Sequence, residues 1–140
     1  MMDQSLNKEE PSAYSRLEQV VATLRGENGC PWDIKQTPAS LKKYLLEECQ
    51  ELAEAIDNGG EQEICEEIGD VFFVLTMLVA IFTERQHFTA DDVLEGIIAK
   101  MIRRHPHVFG GVTLEDEHAL RKQWQRIKAQ EKQSSKPPLS

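Results

Sequence analysis

The chain has 140 residues, is 40% hydrophobic and carries a formal net charge of −8 at pH 7. This length predicts one domain, and the negative charge argues against a partner such as nucleic acid or an anionic membrane. The first ten residues lack the apolar core of a signal peptide, and the longest apolar run, Val71–Phe82, is too short to cross a bilayer. We therefore expect a cytoplasmic protein whose three cysteines, Cys30, Cys49 and Cys65, are reduced and buried.

Helical periodicity and capping signals predict an all-α fold. Ser12 or Ser15 suits the N-cap of a first helix, Thr37 before Pro38 suits the start of a second, and Asn58-Gly59-Gly60 suits a turn. Five helices are expected over about residues 13–25, 38–57, 61–85, 90–104 and 114–131, with a loop from 26 to 36. Residues 1–131 are interpreted as a single domain with a four-helix-bundle-like core and additional flanking helices, and 132–140 as a disordered tail.

The most informative feature is a run of acidic residues without counter-charge. Ten carboxylates lie between Glu47 and Asp70, and no Lys or Arg occurs from Tyr44 through Glu84. Carboxylates this dense repel one another. Water and salt offset the repulsion if the acids face outward, whereas a divalent cation is expected to offset it if they face inward.

Two pairs of acids, each with i, i+3 spacing, occupy or border core-facing rows. In the second helix Glu48 interrupts an apolar stripe, and Glu51 borders the same face. In the third helix Glu67 and Asp70 begin a row that then becomes apolar. These rows are Leu41, Leu45, Leu52 and Ala55 in the second helix, and Val74, Met77 and Ile81 in the third, beside a main stripe of Ile64, Ile68, Val71, Leu75, Leu78 and Phe82.

The Gly-Gly turn predicts that these two helices are antiparallel neighbours, which brings the four acids to one level. An all-oxygen site of this kind suits Mg²⁺, with Mn²⁺ as a substitute. A di-iron site would need Glu-x-x-His, which none of the four histidines provides. A solvated acidic face is the alternative, and spacing alone does not separate Glu48 from Glu47 or Glu67 from Glu66.

The acidic segments, Glu47-Glu48-x-x-Glu51 and Glu67-x-x-Asp70, resemble the signature of MazG-type nucleoside triphosphate pyrophosphohydrolases, which are grouped with the dimeric dUTPases and phosphoribosyl-ATP pyrophosphatases. The resemblance extends over about residues 17–131. It includes Cys30-Pro31-Trp32-Asp33, the segment from Arg103 to Phe109 and Trp124-x-x-Ile127-Lys128. The two flanking segments look most like the first domain of tandem MazG proteins, whose copies need not be equally active.

The resemblance implies an α-helical fold built around four helices that forms a tight homodimer or a dimer of dimers through apolar helices. It also implies Mg²⁺-dependent cleavage of a nucleoside triphosphate to the monophosphate and pyrophosphate. By position, Glu48, Glu51, Glu67 and Asp70 would be the metal ligands. Glu47 would be a nearby acid that orients water and would act in catalysis together with Glu48.

Basic and aromatic residues supply candidate contacts to a nucleotide. Lys100, Arg103 and Arg104 form an i, i+3, i+4 cluster at the end of the fourth helix, and Lys35 lies near the start of the second. Both groups suit phosphate binding, although cations at a helix C-terminus also complement its dipole. Trp32 could stack on a base or anchor its loop.

The sequence thus predicts an enzyme that hydrolyses (d)NTPs to (d)NMPs and pyrophosphate in the house-cleaning of nucleotide pools. Two alternatives remain open. One is a non-catalytic helical dimer that binds nucleotide or divalent cations in a regulatory role. The other is an enzyme with a narrow substrate range, such as a dUTPase-like or dCTPase-like hydrolase.

Overall fold

The computed structural model describes residues 10–134, in which helices and their connections account for the whole fold and no strand occurs. The predicted all-α class is therefore confirmed. The helices are α1 (Ala13–Arg25), α2 (Pro31–Lys35), α3 (Pro38–Asn58), α4 (Glu61–Glu84), α5 (Ala90–Arg104), α6 (Pro106–Phe109) and α7 (Glu117–Ser134). They divide into two compact units, with the boundary between Ala90 and Asp91.

The helix starts follow their capping residues. The Ser12 side chain accepts a hydrogen bond from the Ser15 backbone N–H at 3.1 Å, and Thr37 and Ser40 form a reciprocal capping box at the start of α3. The last helix begins three residues later than predicted, because Asp116 accepts from the Ala119 N–H at 2.8 Å and so caps the helix there. This helix includes residues 132–134 of the predicted tail, and the rest of that tail lies outside the described residues.

Two short helices, α2 and α6, form in segments for which no helix was predicted. Both α2 and α6 have proline at their first turn, where the missing N–H costs nothing. Within the longer predicted loop, Arg25 stabilises α2 by donating to the backbone oxygens of Asp33 and Gln36 at 2.6 and 3.3 Å. The same guanidinium donates to the Glu84 carboxylate at 2.8 and 3.0 Å, so α1, α2 and the end of α4 meet at one side chain.

The core of the first unit lies where α4 packs against α1 and α3. Its buried members are Val21, Leu41, Met77 and Ile81. The row of α4 that begins with Glu67 and Asp70 therefore runs into the core, as predicted. The main stripe is less buried than expected, since Ile68 and Leu75 are each 41% exposed.

The turn between α3 and α4 depends on glycine. A Cβ atom at Gly59 would lie 2.8 Å from the backbone oxygen of Ala55, which also accepts the Gly59 N–H. Only a residue without a side chain fits this close approach. The tight turn folds α4 back along α3 and confirms the predicted antiparallel pair.

In the second unit α7 contacts the end of α5 and α6. The Trp124 indole N–H donates to the backbone oxygen of Arg104 at 2.9 Å, and the His105 ring packs edge-on against the same indole. None of the described helices is long and apolar enough to cross a membrane. The three cysteines are free, but Cys49 and Cys65 are exposed, so the prediction that they are buried was wrong.

Candidate metal and nucleotide site

Three of the four predicted metal ligands come together between α3 and α4. One carboxylate oxygen from each of Glu48, Glu67 and Asp70 lies within 4.8 Å of the others. Glu48 is supplied by α3, and Glu67 and Asp70 by the facing turn of α4. The antiparallel hairpin thus brings together acids that are about twenty residues apart in the chain.

Glu48 and Glu67 are half-buried, whereas Asp70 is exposed. Each of Glu48 and Glu67 has one buried oxygen, Oε2, that finds no hydrogen-bond partner within residues 10–134. Burial raises the pKa of the Glu48 carboxyl group, and the charges of Glu51, Asp70 and Glu67 raise it further. Burial likewise raises the pKa of Glu67, followed by the charges of Glu51, Asp70 and Glu63. An unpartnered buried oxygen is costly, so the site favours a proton or a cation at this position.

The fourth predicted ligand, Glu51, is exposed and lies at the edge of this cluster. Contact with its carboxyl group contributes to the raised pKa of both Glu48 and Glu67. Glu47 lies outside the cluster: its side chain is 52% exposed and is 4.0 Å from the Lys43 ammonium group. Glu63 is exposed, and it lies four residues before Glu67 on the same face of α4, which explains its effect on the pKa of Glu67.

The donor set fits a hard divalent cation. All of the converging ligand atoms are carboxylate oxygens, and Glu48 and Glu67 each have one buried oxygen that lacks a hydrogen-bond partner among the described residues. The sequence places no Lys or Arg between Tyr44 and Glu84 that could neutralise them from within this hairpin. Oxygen donors of this kind are typical of Mg²⁺ and Mn²⁺ sites rather than zinc sites.

Trp32 lies on α2 and is 48% exposed. Its indole contacts Tyr44 edge-on, with ring centroids 5.3 Å apart, and Tyr44 is one helical turn before Glu48. The backbone of α2 is fixed by the buried Gln36, whose side chain donates to the Trp32 oxygen at 3.0 Å and accepts from Ser40 at 2.7 Å. Trp32 is therefore held firmly and remains accessible, while Lys35 is exposed at the end of α2.

The predicted basic cluster belongs to the second unit. Arg103 and Arg104 both donate to the Glu131 carboxylate of α7, at 2.6 Å and at 2.9 and 3.2 Å. These hydrogen bonds hold the pKa of Glu131 well below its usual range, at about 2. Lys100 is half-buried and has no ion pair among the described residues. Sequence reasoning missed Glu131, because it lies 27 residues after Arg104 and no local spacing connects the two.

Fold and site together define an all-helical protein with a carboxylate cluster between two antiparallel helices. Residues 36–109 match the MazG nucleotide pyrophosphohydrolase domain, and the chain belongs to this family. The resemblance inferred from the acidic segments is thereby confirmed.

Similar proteins agree with this assignment. The chain is 46% identical over 126 residues to the uncharacterized protein YabN of Bacillus subtilis, covering 90% of this chain and 26% of that protein. It is 45% identical over 129 residues to the nucleoside triphosphate pyrophosphohydrolase/pyrophosphatase MazG of Thermotoga maritima, covering 92% and 49%. It is 36% identical over 118 residues to the nucleoside triphosphate pyrophosphohydrolase of Escherichia coli K12, covering 84% and 45%. The chain thus spans a quarter to a half of these relatives.

The crystal structure of a mazG-related protein from Thermotoga maritima has a similar fold. The two structures superpose with a TM-score of 0.67 at 27% sequence identity, over 82% of this chain and 98% of that one.

Proposed function

We propose that this protein is a nucleoside triphosphate pyrophosphohydrolase that converts a (d)NTP to the (d)NMP and pyrophosphate with Mg²⁺. The observation that carries the proposal is the convergence of the Glu48, Glu67 and Asp70 carboxylates, two of which also have a buried oxygen without a hydrogen-bond partner among the described residues. Relatives named for this activity support the substrate class. The same chemistry suits the house-cleaning of nucleotide pools in the cytoplasm.

In the proposed mechanism Glu48, Glu51, Glu67 and Asp70 hold the divalent cation. When bound, Mg²⁺ supplies Lewis acidity to the triphosphate oxygens and to the attacking water. A bound cation would lower the pKa of Glu48 and Glu67, so that both carboxyl groups would be ionised. Glu47, which lies outside the cluster and reaches water, orients the water that attacks the α/β phosphoanhydride. The bond between the α and β phosphates breaks, and pyrophosphate leaves.

Other residues are proposed to contact the nucleotide. Trp32 offers an accessible indole face for a base, and Lys35 follows it on the same short helix. Lys100, Arg103 and Arg104 supply the donors that phosphate oxygens require. We further propose that the chain acts as one domain within a homodimer or a dimer of dimers, supported by its exposed apolar helix faces.

The test is to neutralise one ligand on each helix. Glu48→Gln and Asp70→Asn each remove a charge without changing shape, so each is expected to lower Mg²⁺-dependent pyrophosphate release by about a hundredfold or more. The helical circular dichroism signal should be unchanged. Glu54→Gln is the matched control, because Glu54 is an exposed acid on α3 outside the cluster. Full activity in both ligand variants would contradict the site.

A panel of the eight common NTPs and dNTPs separates the alternatives. Turnover of many substrates supports the house-cleaning enzyme, and turnover of one or two supports a dUTPase-like or dCTPase-like enzyme. Absence of turnover with retained, Mg²⁺-dependent nucleotide binding would replace the proposal with a regulatory binding protein.

A further inference from the structure

Tyr44 lies between Trp32 and the acidic cluster, and the proposed function gives it no role. It shares one row of α3 with two of the acids, because Tyr44, Glu48 and Glu51 are spaced i, i+4, i+7. Its ring also contacts the Trp32 indole edge-on, with centroids 5.3 Å apart and ring planes at 71°. Trp32, Tyr44 and the acids therefore follow one another in this order within the first unit.

The contact between Trp32 and Tyr44 is fixed by the backbone around it. The Gln36 side chain donates to the Trp32 backbone oxygen at 3.0 Å and accepts from the Ser40 hydroxyl at 2.7 Å, so it connects α2 to the first turn of α3. An edge-on neighbour covers at most one face of an indole. Trp32 is 48% exposed and therefore remains accessible beside Tyr44.

The packing of Tyr44 uses its ring and not its hydroxyl. The residue is half-buried, and its hydroxyl makes no hydrogen bond within residues 10–134. A phenylalanine would make the same edge-on contact with Trp32, so this contact does not account for the hydroxyl. A phenolic hydroxyl both donates and accepts, as sugar hydroxyls do. The Tyr44 hydroxyl is thus available to a ligand.

The order of these groups matches the order of the parts of a nucleotide. The sugar joins the base to the phosphates. A nucleotide with its base on Trp32 and its phosphates at the acidic cluster would therefore have its sugar beside Tyr44. Tyr44 precedes Glu48 by about one helical turn, a rise of about 6 Å, which leaves an interval for the sugar between the two.

We propose that the Tyr44 hydroxyl forms a hydrogen bond with a sugar hydroxyl of the bound nucleotide, and that Tyr44 thereby determines which sugars the enzyme accepts. The inference rests on the proposed function, because it takes the positions of the base and the phosphates from it. It adds the sugar, to which the proposed function assigns no residue.

The experiment compares three substrates in the wild type and in Tyr44→Phe. The substrates are the common NTP with the highest kcat/KM for pyrophosphate release and its 2′-deoxy and 3′-deoxy analogues. Tyr44→Phe is expected to lower kcat/KM about tenfold for the NTP and by less than about twofold for the analogue that lacks the bound hydroxyl. The analogue that is least affected identifies whether the 2′ or the 3′ hydroxyl is bound.

Tyr14→Phe is the matched control, because Tyr14 is the only other tyrosine of the chain and lies on α1. It removes the same hydroxyl and is expected to change kcat/KM by one common factor for all three substrates. A common factor in Tyr44→Phe would overturn the inference, since Tyr44 would then act only through the fold. Sugar selectivity that is lost in Tyr14→Phe instead would overturn the assignment to Tyr44.

The wild type tests the inference by itself if Tyr44→Phe fails to fold. One of the two deoxy analogues should have a kcat/KM about tenfold below that of the NTP, because a hydroxyl positioned for a partner discriminates against a substrate that lacks it. Equal kcat/KM values for all three substrates would overturn the proposal.

Failure of this inference differs from failure of the proposed function. Turnover of all three substrates with equal kcat/KM would contradict this inference alone. Absence of turnover would contradict the proposed function, and the three nucleotides would then be compared by their dissociation constants, measured by calorimetry in Mg²⁺. Weaker binding of one analogue that disappears in Tyr44→Phe would support the inference, whereas equal binding in the wild type would overturn it.

Discussion

Glu48 and Glu67 carry the main electrostatic cost of the acidic hairpin. Each has one buried oxygen that no group in the described part of the chain contacts by a hydrogen bond, and each has a raised pKa. Glu131 shows the opposite behaviour, since two guanidinium groups lower its pKa to about 2. A carboxylate whose pKa is raised by folding opposes the folded state once it ionises, whereas one whose pKa is lowered supports it.

The raised pKa values predict how the stability of the metal-free protein depends on pH. The unfolded Glu48 ionises near pH 4.5 and the folded one only at higher pH, so its protonated form stabilises the fold at low pH. This contribution is lost as pH rises through the folded pKa. In EDTA at pH 7, Glu48→Gln should therefore melt a few degrees above the wild type, as measured by circular dichroism.

The difference in melting temperature between Glu48→Gln and the wild type should shrink as pH falls towards 5. Glu54→Gln again serves as the control and should show no such pH-dependent difference. A Glu48→Gln variant that melts below the wild type in EDTA at pH 7 would show that its carboxylate stabilises the fold without a cation.

Among the elements, α1, α2 and α4 depend on one shared side chain. Arg25 is 8% exposed and makes four hydrogen bonds, two to α2 and its C-cap and two to Glu84. Lysine cannot reproduce this fork of donors, and the oxygens left behind would lose partners. Arg25→Lys is therefore expected to lower the free energy of unfolding by about 1–3 kcal/mol, measured by urea denaturation.

Lys43→Gln provides the matched control for Arg25→Lys. The Lys43 side chain is 76% exposed and its contact with Glu47 spans 4.0 Å, so its loss should change the free energy of unfolding by less than about 0.5 kcal/mol. If Arg25→Lys and the wild type had equal free energies of unfolding, the hydrogen bonds of Arg25 in the folded protein would contribute no more than those it makes to water in the unfolded chain.

The long helices could be predicted from sequence because their caps and periodicity are local. Ser12, Thr37-Pro38 and the turn at Gly59 each act within a few residues, and the observed ends agree with them. The short helix α2 could not be predicted in this way, since Arg25 and Gln36 stabilise it through contacts outside its own five residues. The helix predicted over about residues 114–131 begins later in the structure, because the Asp116 side chain caps it.

At the scale of the whole molecule, exposed apolar side chains remain on α5. They occur on two adjacent rows, Val93, Ile97 and Met101 beside Leu94, Ile98 and Ile102. Apolar side chains that are contiguous over three turns indicate a covered face, which is consistent with the proposed homodimer. A charge at the centre of this face should separate the subunits.

We expect Ile98→Glu to shift the protein from dimer to monomer in sedimentation velocity at micromolar concentration, because the new carboxylate would have to be buried without a partner. Val20→Glu introduces the same charge at an exposed apolar position of α1 and should leave the dimer intact. A wild type that sediments as a monomer would contradict the predicted assembly itself.

The candidate site could be predicted only in part, because sequence spacing reports contacts within a helix or across a short turn and not contacts between distant segments. Glu48, Glu67 and Asp70 follow from helical periodicity and a short turn, and these are the residues that the hairpin brings together. The engagement of Arg103 and Arg104 by Glu131 depends on a contact between distant segments, and sequence spacing carries no information about it.

The hairpin of α3 and α4 is covalently joined only at its Gly59–Gly60 end, while its acids lie about ten residues from that turn on either helix. Without a cation, repulsion between the carboxylates favours separation of α3 and α4, which are connected only by this turn. A bridging ion would pull them together. Cation binding is therefore expected to slow local opening of the two helices. In the absence of substrate, the backbone amide hydrogens around Glu48 and Glu67 should exchange with solvent more slowly when the cation is added.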